Sequence, residues 1–314
     1  MVVRRQGIAL LMTLLVLGLL TASALSLMRL ADLEFRVADN TYAFAQAEIL
    51  AQAGLQGAMT LLAMDDNDYD APTDPWGRFG QYASLATGFI EEGAFGGRIE
   101  DLSGLIDINS LVDRTGVPVT QRIEQFDRLL RLLELDPDIL PDLLDWLDPD
   151  DEARMGGAET PYYRQLDPPY PCGNGPLDTE AQLGLVKGFG RRVLDGQDDR
   201  PGLRPYVTVH SSGLININTA PEPVLLSLDD GLTRAVVQEI MGRRASQPFE
   251  KLDELRDLPG LTPELLNRIV PLISVKSEFF RIRVEGSFRQ ARAAVTAVVY
   301  RSQSGVRLIY YLQG

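Results

Sequence analysis

A chain of 314 residues, 45% of them hydrophobic, is long enough for two modest domains and apolar enough to bury a core, which excludes a disordered polymer. Its 44 acidic against 30 basic residues leave a formal charge of −14, a field that repels phosphate backbones and argues against nucleic-acid binding. One cysteine, Cys172, rules out an intrachain disulfide, so the fold must stand without one in any redox compartment.

The first element is a helix. Behind Met1-Val-Val-Arg-Arg-Gln-Gly7, the stretch Ile8 to Met28 runs 21 residues without a charge. As a helix it measures about 31 Å and matches a bilayer core of about 30 Å. Arg4 and Arg5 ahead of it keep the N-terminus in the cytoplasm and send the remainder across, so a single pass through an inner membrane with a periplasmic main domain is expected. A signal peptide cut at Ala22-Ser-Ala24 is the alternative. Against it, an amphipathic pattern continues without a turn signal: Leu30, Leu33, Val37, Phe44, Ala51, Leu55 and Leu62 recur at steps of three, four or seven. The spacing predicts one helix from Ile8 to about Met64, roughly 85 Å long, half in lipid and half offering an apolar stripe to a domain.

The leader Arg4-Arg-Gln-Gly7 followed by Ile8-Ala-Leu-Leu-Met12 resembles the type IV prepilin class. That resemblance implies a prepilin peptidase that cuts between Gly7 and Ile8 and N-methylation of the new terminus at Ile8. Most such subunits carry Glu at the fifth mature position, where this chain has Met12. A Glu there would pair with the terminal amine of a neighbour already in the fibre, since an unpaired charge in lipid is costly. Its loss suits a subunit with nothing above it.

From Asp65 to Gly97 the sequence reads as a long Asp-, Gly- and Pro-rich loop, with Pro75-Trp76-Gly77 an anchor packed on the helix. Its Asp66-x-Asp68-x-Asp70 imitates the start of an EF-hand loop, but Ala71 replaces the turn glycine and Gly77 the final Glu. Gly97 to Leu102 predicts a strand. Gly104-Leu-Ile-Asp-Ile-Asn109 then returns almost unchanged as Gly213-Leu-Ile-Asn-Ile-Asn218, each copy leading into apolar helical patterns, which reads as an internal duplication. Helical patterns cover Ile123 to Leu135 and Ile139 to Leu147 in the first unit. In the second they cover Pro223 to Ser227, Thr233 to Arg244, Leu252 to Arg256 and Pro263 to Ile273. The tail is β-rich at Phe279 to Gly286, Ala291 to Arg301 and Val306 to Leu312.

The expected fold class is therefore α+β: a long N-terminal helix packed on a small antiparallel sheet, with a large, mostly helical domain inserted, built of two helix-hairpin-helix or SAM-like units. The boundaries read 1–7 leader, 8–28 membrane span, 29–102 helix, loop and first strand, 103–272 insert (about 103–205 and 206–272), and 273–314 final strands.

The sharpest chemical pattern runs from Asp145 through Asp148-Pro-Asp150-Asp151-Glu152 to Glu159. Counted from Asp148, carboxylates at Asp148, Asp150, Glu152 and Glu159 hold positions one, three, five and twelve, the spacing with which a loop wraps oxygen ligands around Ca²⁺. Asp151 and Thr160 flank that set. Ala153 replaces the position-six glycine, while Gly156 and Gly157 supply later freedom. The bland alternative is a solvated acidic loop. Pro248-Phe-Glu-Lys-Leu-Asp-Glu-Leu255 with Leu258-Pro-Gly-Leu261 resembles a helix-hairpin-helix, yet Thr262 stands for its second glycine and Glu264 would repel a phosphate. One His, one Cys and no phosphate loop leave no constellation for an enzyme.

The order of these pieces resembles one family, general secretion pathway protein K, the minor pseudopilins of type II secretion systems. The prepilin start, Arg98-Ile-Glu-Asp-Leu-Ser-Gly104, Leu144 to Glu159, Ile215-Asn-Ile-Asn-Thr-Ala-Pro221 and Phe279-Phe-Arg-Ile carry it. The resemblance implies a place at the pseudopilus tip with two smaller minor pseudopilins, priming or capping fibre assembly, and calcium in the periplasmic part. Relatives tend to have Asp where Thr160 stands. A tip minor pilin of a type IV pilus and a periplasmic calcium-binding protein with a signal peptide remain the alternatives.

Overall fold

The computed structural model describes residues 3–198 and 200–314. Of the leader at 1–7, Met1 and Val2 lie outside the described residues, and for the rest, Gly7 included, only the backbone is described. Helix α1 runs Val3–Ala63 as one element, and its apolar segment from Ile8 is unburied throughout, as a membrane span requires.

The helix meets the sheet through the C-terminal half of the expected stripe, at Ala51, Leu55 and Leu62, extended by small residues that the periodicity did not single out. Ala43, Ala47, Ala51, Leu55, Ala58 and Leu62 are buried, whereas Leu30, Leu33, Val37 and Phe44 stay exposed. Small side chains at steps of four and three let strand backbone approach closely, so the packed face is the alanine face rather than the bulkiest one. After α1 the expected loop holds a helix that the sequence reading missed, α2 at Phe79–Thr87. Trp76 is buried as the expected anchor and lies edge-on to Phe280 at 5.2 Å.

Four strands make one antiparallel sheet in the order β1 (Gly93–Asp101), β2 (Phe279–Phe288), β3 (Ala291–Ser302), β4 (Gly305–Gln313). Alternation sends Ile99, Ile282, Val284, Val295, Ala297 and Val299 into the helix-facing core. Gly286 marks the closest approach. A Cβ there would stand 2.1 Å from the Ala47 carbonyl oxygen and 2.5 Å from the Ala51 nitrogen. Gly286→Ala should therefore cost about 1–3 kcal/mol by pushing helix from sheet. Gly57→Ala on the same helix, where a Cβ meets nothing within 4 Å, should not lower the thermal midpoint. Equal midpoints for the two variants would contradict this packing.

Between β1 and β2 the chain builds a second hydrophobic cluster, from Ile106 to Ile273, around α3 (Thr120–Leu132), α4 (Leu140–Leu147) and helices Glu222–Ser227, Arg234–Ser246 and Pro263–Ile269. The two sequence copies make the same bonds. Ile106–Asp107 pairs in parallel with Val207–Thr208, and Ile215–Asn216 with Ile273–Ser274. Asp107 and Asn216 each accept from the backbone nitrogen two residues on. Asn109 then clamps both backbone groups of Leu177, and Asn218 those of Phe249. An amide at the sixth position of each copy can satisfy the backbone donor and acceptor of one buried loop residue at once.

Elsewhere the differences are local. The pattern read at Leu252 to Arg256 is a 3₁₀ turn, Leu252–Asp257. The Pro263 helix ends at Ile269 and is capped by the Thr262 hydroxyl, which accepts from Leu265 N, so its amide end already has a partner. Asp66 and Asp68 are exposed and Asp70 is buried against Arg301, so no EF-hand-like wrap forms there.

Candidate metal centre

Helix α4 delivers the first carboxylates. Asp145 and Asp148 are buried at its C-terminal end, and Asp148 N still donates to Leu144 O at 3.1 Å. The loop beyond folds back through local turns: Glu152 N donates to Asp150 Oδ1 at 2.8 Å, and Gly157 N to Arg154 O at 2.9 Å. Gly157 is required by contact, because a Cβ there would fall 1.9 Å from Asp145 Oδ2. Arg154 points inward, donating to Asp145 Oδ1 at 2.7 Å and to Asp148 Oδ2. Lys187 fastens the loop from outside through Asp142 Oδ1 at 2.9 Å and Gly156 O at 3.2 Å.

The return of the loop brings Glu159 against Asp148 and Asp150. One oxygen from each of these three carboxylates lies within 4.8 Å of the others. Two oxygens bound at about 2.4 Å to one Ca²⁺ are at most about 4.8 Å apart, so the spacing suits that ion. The orphaned atoms agree with it. Asp148 Oδ1, both Glu159 carboxylate oxygens and Asn174 Oδ1 are buried without a hydrogen-bond partner. All are acceptors, and hard oxygen acceptors are what calcium takes. The thiol of Cys172 donates to Asp145 O at 3.6 Å and lies beside Glu159.

Electrostatics follow from burial. Desolvation pushes the Glu159 carboxyl up to about 7; the neighbouring Cys172 thiol opposes the rise, and Asp145, Asp148 and Asp151 each add a lesser push upward. Desolvation likewise raises Asp148 despite Arg154, and lifts the Cys172 thiol to about 12. A cation among these groups would offset the first two shifts by favouring the ionised carboxylates.

Of the residues read from the loop spacing, Asp148, Asp150 and Glu159 converge. Glu152 is exposed and outside the cluster, since the loop spends its third position on a turn that directs the fifth away. Asp151 accepts from Asn174 Nδ2 at 3.2 Å, and Thr160 Oγ1 from Cys172 N at 3.2 Å. A neighbour of the cluster that sequence reasoning missed is Asn174, whose backbone is left-handed (φ 44°) and whose amide also holds Asp150 O at 2.8 Å. The run Pro171-Cys-Gly-Asn-Gly175 signals a turn, but nothing in it gives the partner loop. That turn is held by Trp146: Gly175 N donates to Trp146 O at 3.1 Å, and Gly173 lies on the indole where a Cβ would not fit.

Comparison with known proteins gives consistent likenesses. Two family profiles, both described as type II secretion system (T2SS) protein K, match residues 104–212 and 215–276, together more than half of the chain. The type II secretion system protein K of Aeromonas hydrophila is 26% identical over 96% of this chain and 94% of its own. That of Klebsiella pneumoniae is 26% identical over 88% of this chain and 86% of its own. Among solved structures, a chain of the GspK-GspI-GspJ complex from the type 2 secretion system of enterotoxigenic Escherichia coli shares the fold. The TM-score is 0.69 at 18% identity, over 88% of this chain and 99% of that one.

Proposed function

The chain belongs to the type II secretion system protein K family and is a minor pseudopilin, and from that premise we propose that it caps the periplasmic tip of the pseudopilus and primes its assembly. The observation that carries the reading is where the insert sits. Gly93 packs by Leu50, Gly54 by Val284, and Arg301 binds Asp65 just past the end of α1. The sheet thus lies along the far part of the helix, and β1 runs away from the membrane segment and hands the chain to the insert at the distal end. A body of about 170 residues at that end is too bulky to lie between stacked helical neighbours. Met12 in place of an acidic residue fits the same reading, because nothing needs to sit above this subunit.

On this proposal residues 1–7 are the leader, prepilin peptidase cuts at Gly7 and Ile8 is methylated. Residues 8–28 cross the inner membrane, and 29–314 lie in the periplasm. The two units of 103–272 are helix-hairpin-helix or SAM-like modules serving a structural role, with neither catalysis nor nucleic acid involved. Two smaller minor pseudopilins are the partners, a reading supported by the composition of the E. coli complex that shares the fold. Ca²⁺ is held by Asp148, Asp150, Glu159 and Asn174. N-terminal sequencing of the mature protein should begin at methylated Ile8, and gold-labelled full-length protein should decorate only fibre ends. A start near Leu25 or labelling along the shaft would overturn the proposal.

A further inference from the structure

The sheet face turned away from α1 gathers positive charge in a chain of net charge −14. Arg98 on β1 stands directly opposite Arg283 on β2 in the strand register, and Arg292 lies further along the same face, opposite Ser287. Like charges facing each other across strands weaken a sheet, so this pair is not there for stability. Arg98 reaches Glu100 at 2.5 Å, while among the described residues neither Arg283 nor Arg292 has a carboxylate within 4 Å. The three arginines border an open groove of about 800 Å³ whose only carboxylate among the described residues is Glu285. Ala94, Gly96 and Ala294 present almost no side chain to it, and a Cβ on Gly96 would meet nothing within 4 Å.

We propose that this groove docks an extended acidic segment of a partner protein, its carboxylates forked on Arg98 and Arg283 and its backbone lying over Gly96. Planar guanidinium groups in adjacent strands suit carboxylates spaced along a strand-like chain, and the small-residue floor lets a backbone come close. A lipid surface is the other anionic candidate. The groove, however, runs from the level of Ala47, on which Gly286 packs, to that of Gly54, which packs on Val284, so it lies about 29 to 39 Å along the helix from Met28. Headgroups of the membrane that holds the helix are out of reach. The inference does not depend on the tip reading.

The test uses the full-length chain in nanodiscs with a fluorescent twelve-residue peptide of alternating Glu and Ser. Saturable binding is expected at low salt, with a large loss at 0.5 M salt. The pair Arg98→Gln with Arg283→Gln should weaken it at least tenfold. So should Gly96→Leu, which fills the groove and leaves the charges in place. Thermal midpoints report folding, and removal of the facing charges should leave the midpoint unchanged or higher. Absence of saturable binding, binding that either variant leaves intact, or equal binding of the matching Lys-Ser peptide overturns the proposal. Binding of free phosphatidylglycerol vesicles with the peptide ignored overturns it as well.

Discussion

Arg301→Met should be the most damaging single substitution in the soluble region, costing about 3–5 kcal/mol. Its guanidinium is buried where the helix end, the sheet and the insert meet. It bridges both Asp70 oxygens, Asp65 Oδ2 at 3.0 Å and Ser277 O at 2.8 Å, and lies 4.7 Å over the Phe280 ring. Around it Asn216 Nδ2 donates to Asp70 O at 3.0 Å and Asp101 Oδ2 at 3.1 Å, and the hydroxyls of Thr219 and Ser277 donate to the same Asp101 oxygen. Burial raises both Asp70 and Asp101, the former against the pull of Arg301. Removing the cation leaves these carboxylates desolvated with less compensation, whereas Arg301→Met combined with Asp70→Asn should lose less than the single variant. Calorimetry and limited proteolysis at residues 102–104 and 274–278 read the result. A single variant that melts with the wild type would refute the assignment.

Calcium removal should produce the second large effect. At free calcium a hundredfold above the dissociation constant, the bound ion adds about 2.7 kcal/mol to the state that binds it, so chelation should lower the midpoint by several degrees. Glu159→Gln keeps the shape of the side chain and should abolish that chelator-dependent shift, while Asn174→Leu should weaken it. The pH dependence has a definite sign. With no ion, the folded state holds the Glu159 proton more tightly than the unfolded chain does, because the carboxyl rises from 4.5 to about 7. That contribution is full below about 4.5 and is lost as pH climbs through 7. A cation must displace the proton, so affinity should fall about tenfold per unit as pH drops below 7. A chelator-insensitive melt with no metal in the purified protein would sink the site.

What could be read in the sequence follows from which signals are local. The long helix and the last three strands are long runs of one local character, apolar or amphipathic in the first and β-branched or aromatic in the others, and their predicted ends agree with the structure within a few residues. The packed face of α1 was legible in part: Ala51, Leu55 and Leu62 lie on the expected stripe, whereas Ala43, Ala47 and Ala58 were passed over because hydrophobic pattern ranks bulk while close packing on strand backbone selects smallness. Helix α2 hid behind two glycines near its start, Gly77 and Gly80. In the acidic loop the spacing gave Asp148, Asp150 and Glu159 because they lie on one segment. Asn174 arrives from another, and Glu152 turns away because an Asp150 turn takes its backbone. Arg301 looks like any alternate strand residue, and its role exists only once three distant segments meet.

The junction beside Arg301 has a mechanical consequence. The insert leaves through the end of β1 and re-enters through the start of β2, and these ends are bonded neighbours: Leu102 N donates to Phe279 O at 3.0 Å. A tug on the insert away from the membrane therefore draws β1 and β2 the same way and does not slide one past the other. The ladder that resists is β2 against β3, paired from Phe279–Tyr300 to Phe288–Ala291, and it is loaded in shear, with its rungs sharing the force instead of peeling in turn. An insert fixed to its helix by this geometry can take load in both directions without coming apart strand by strand.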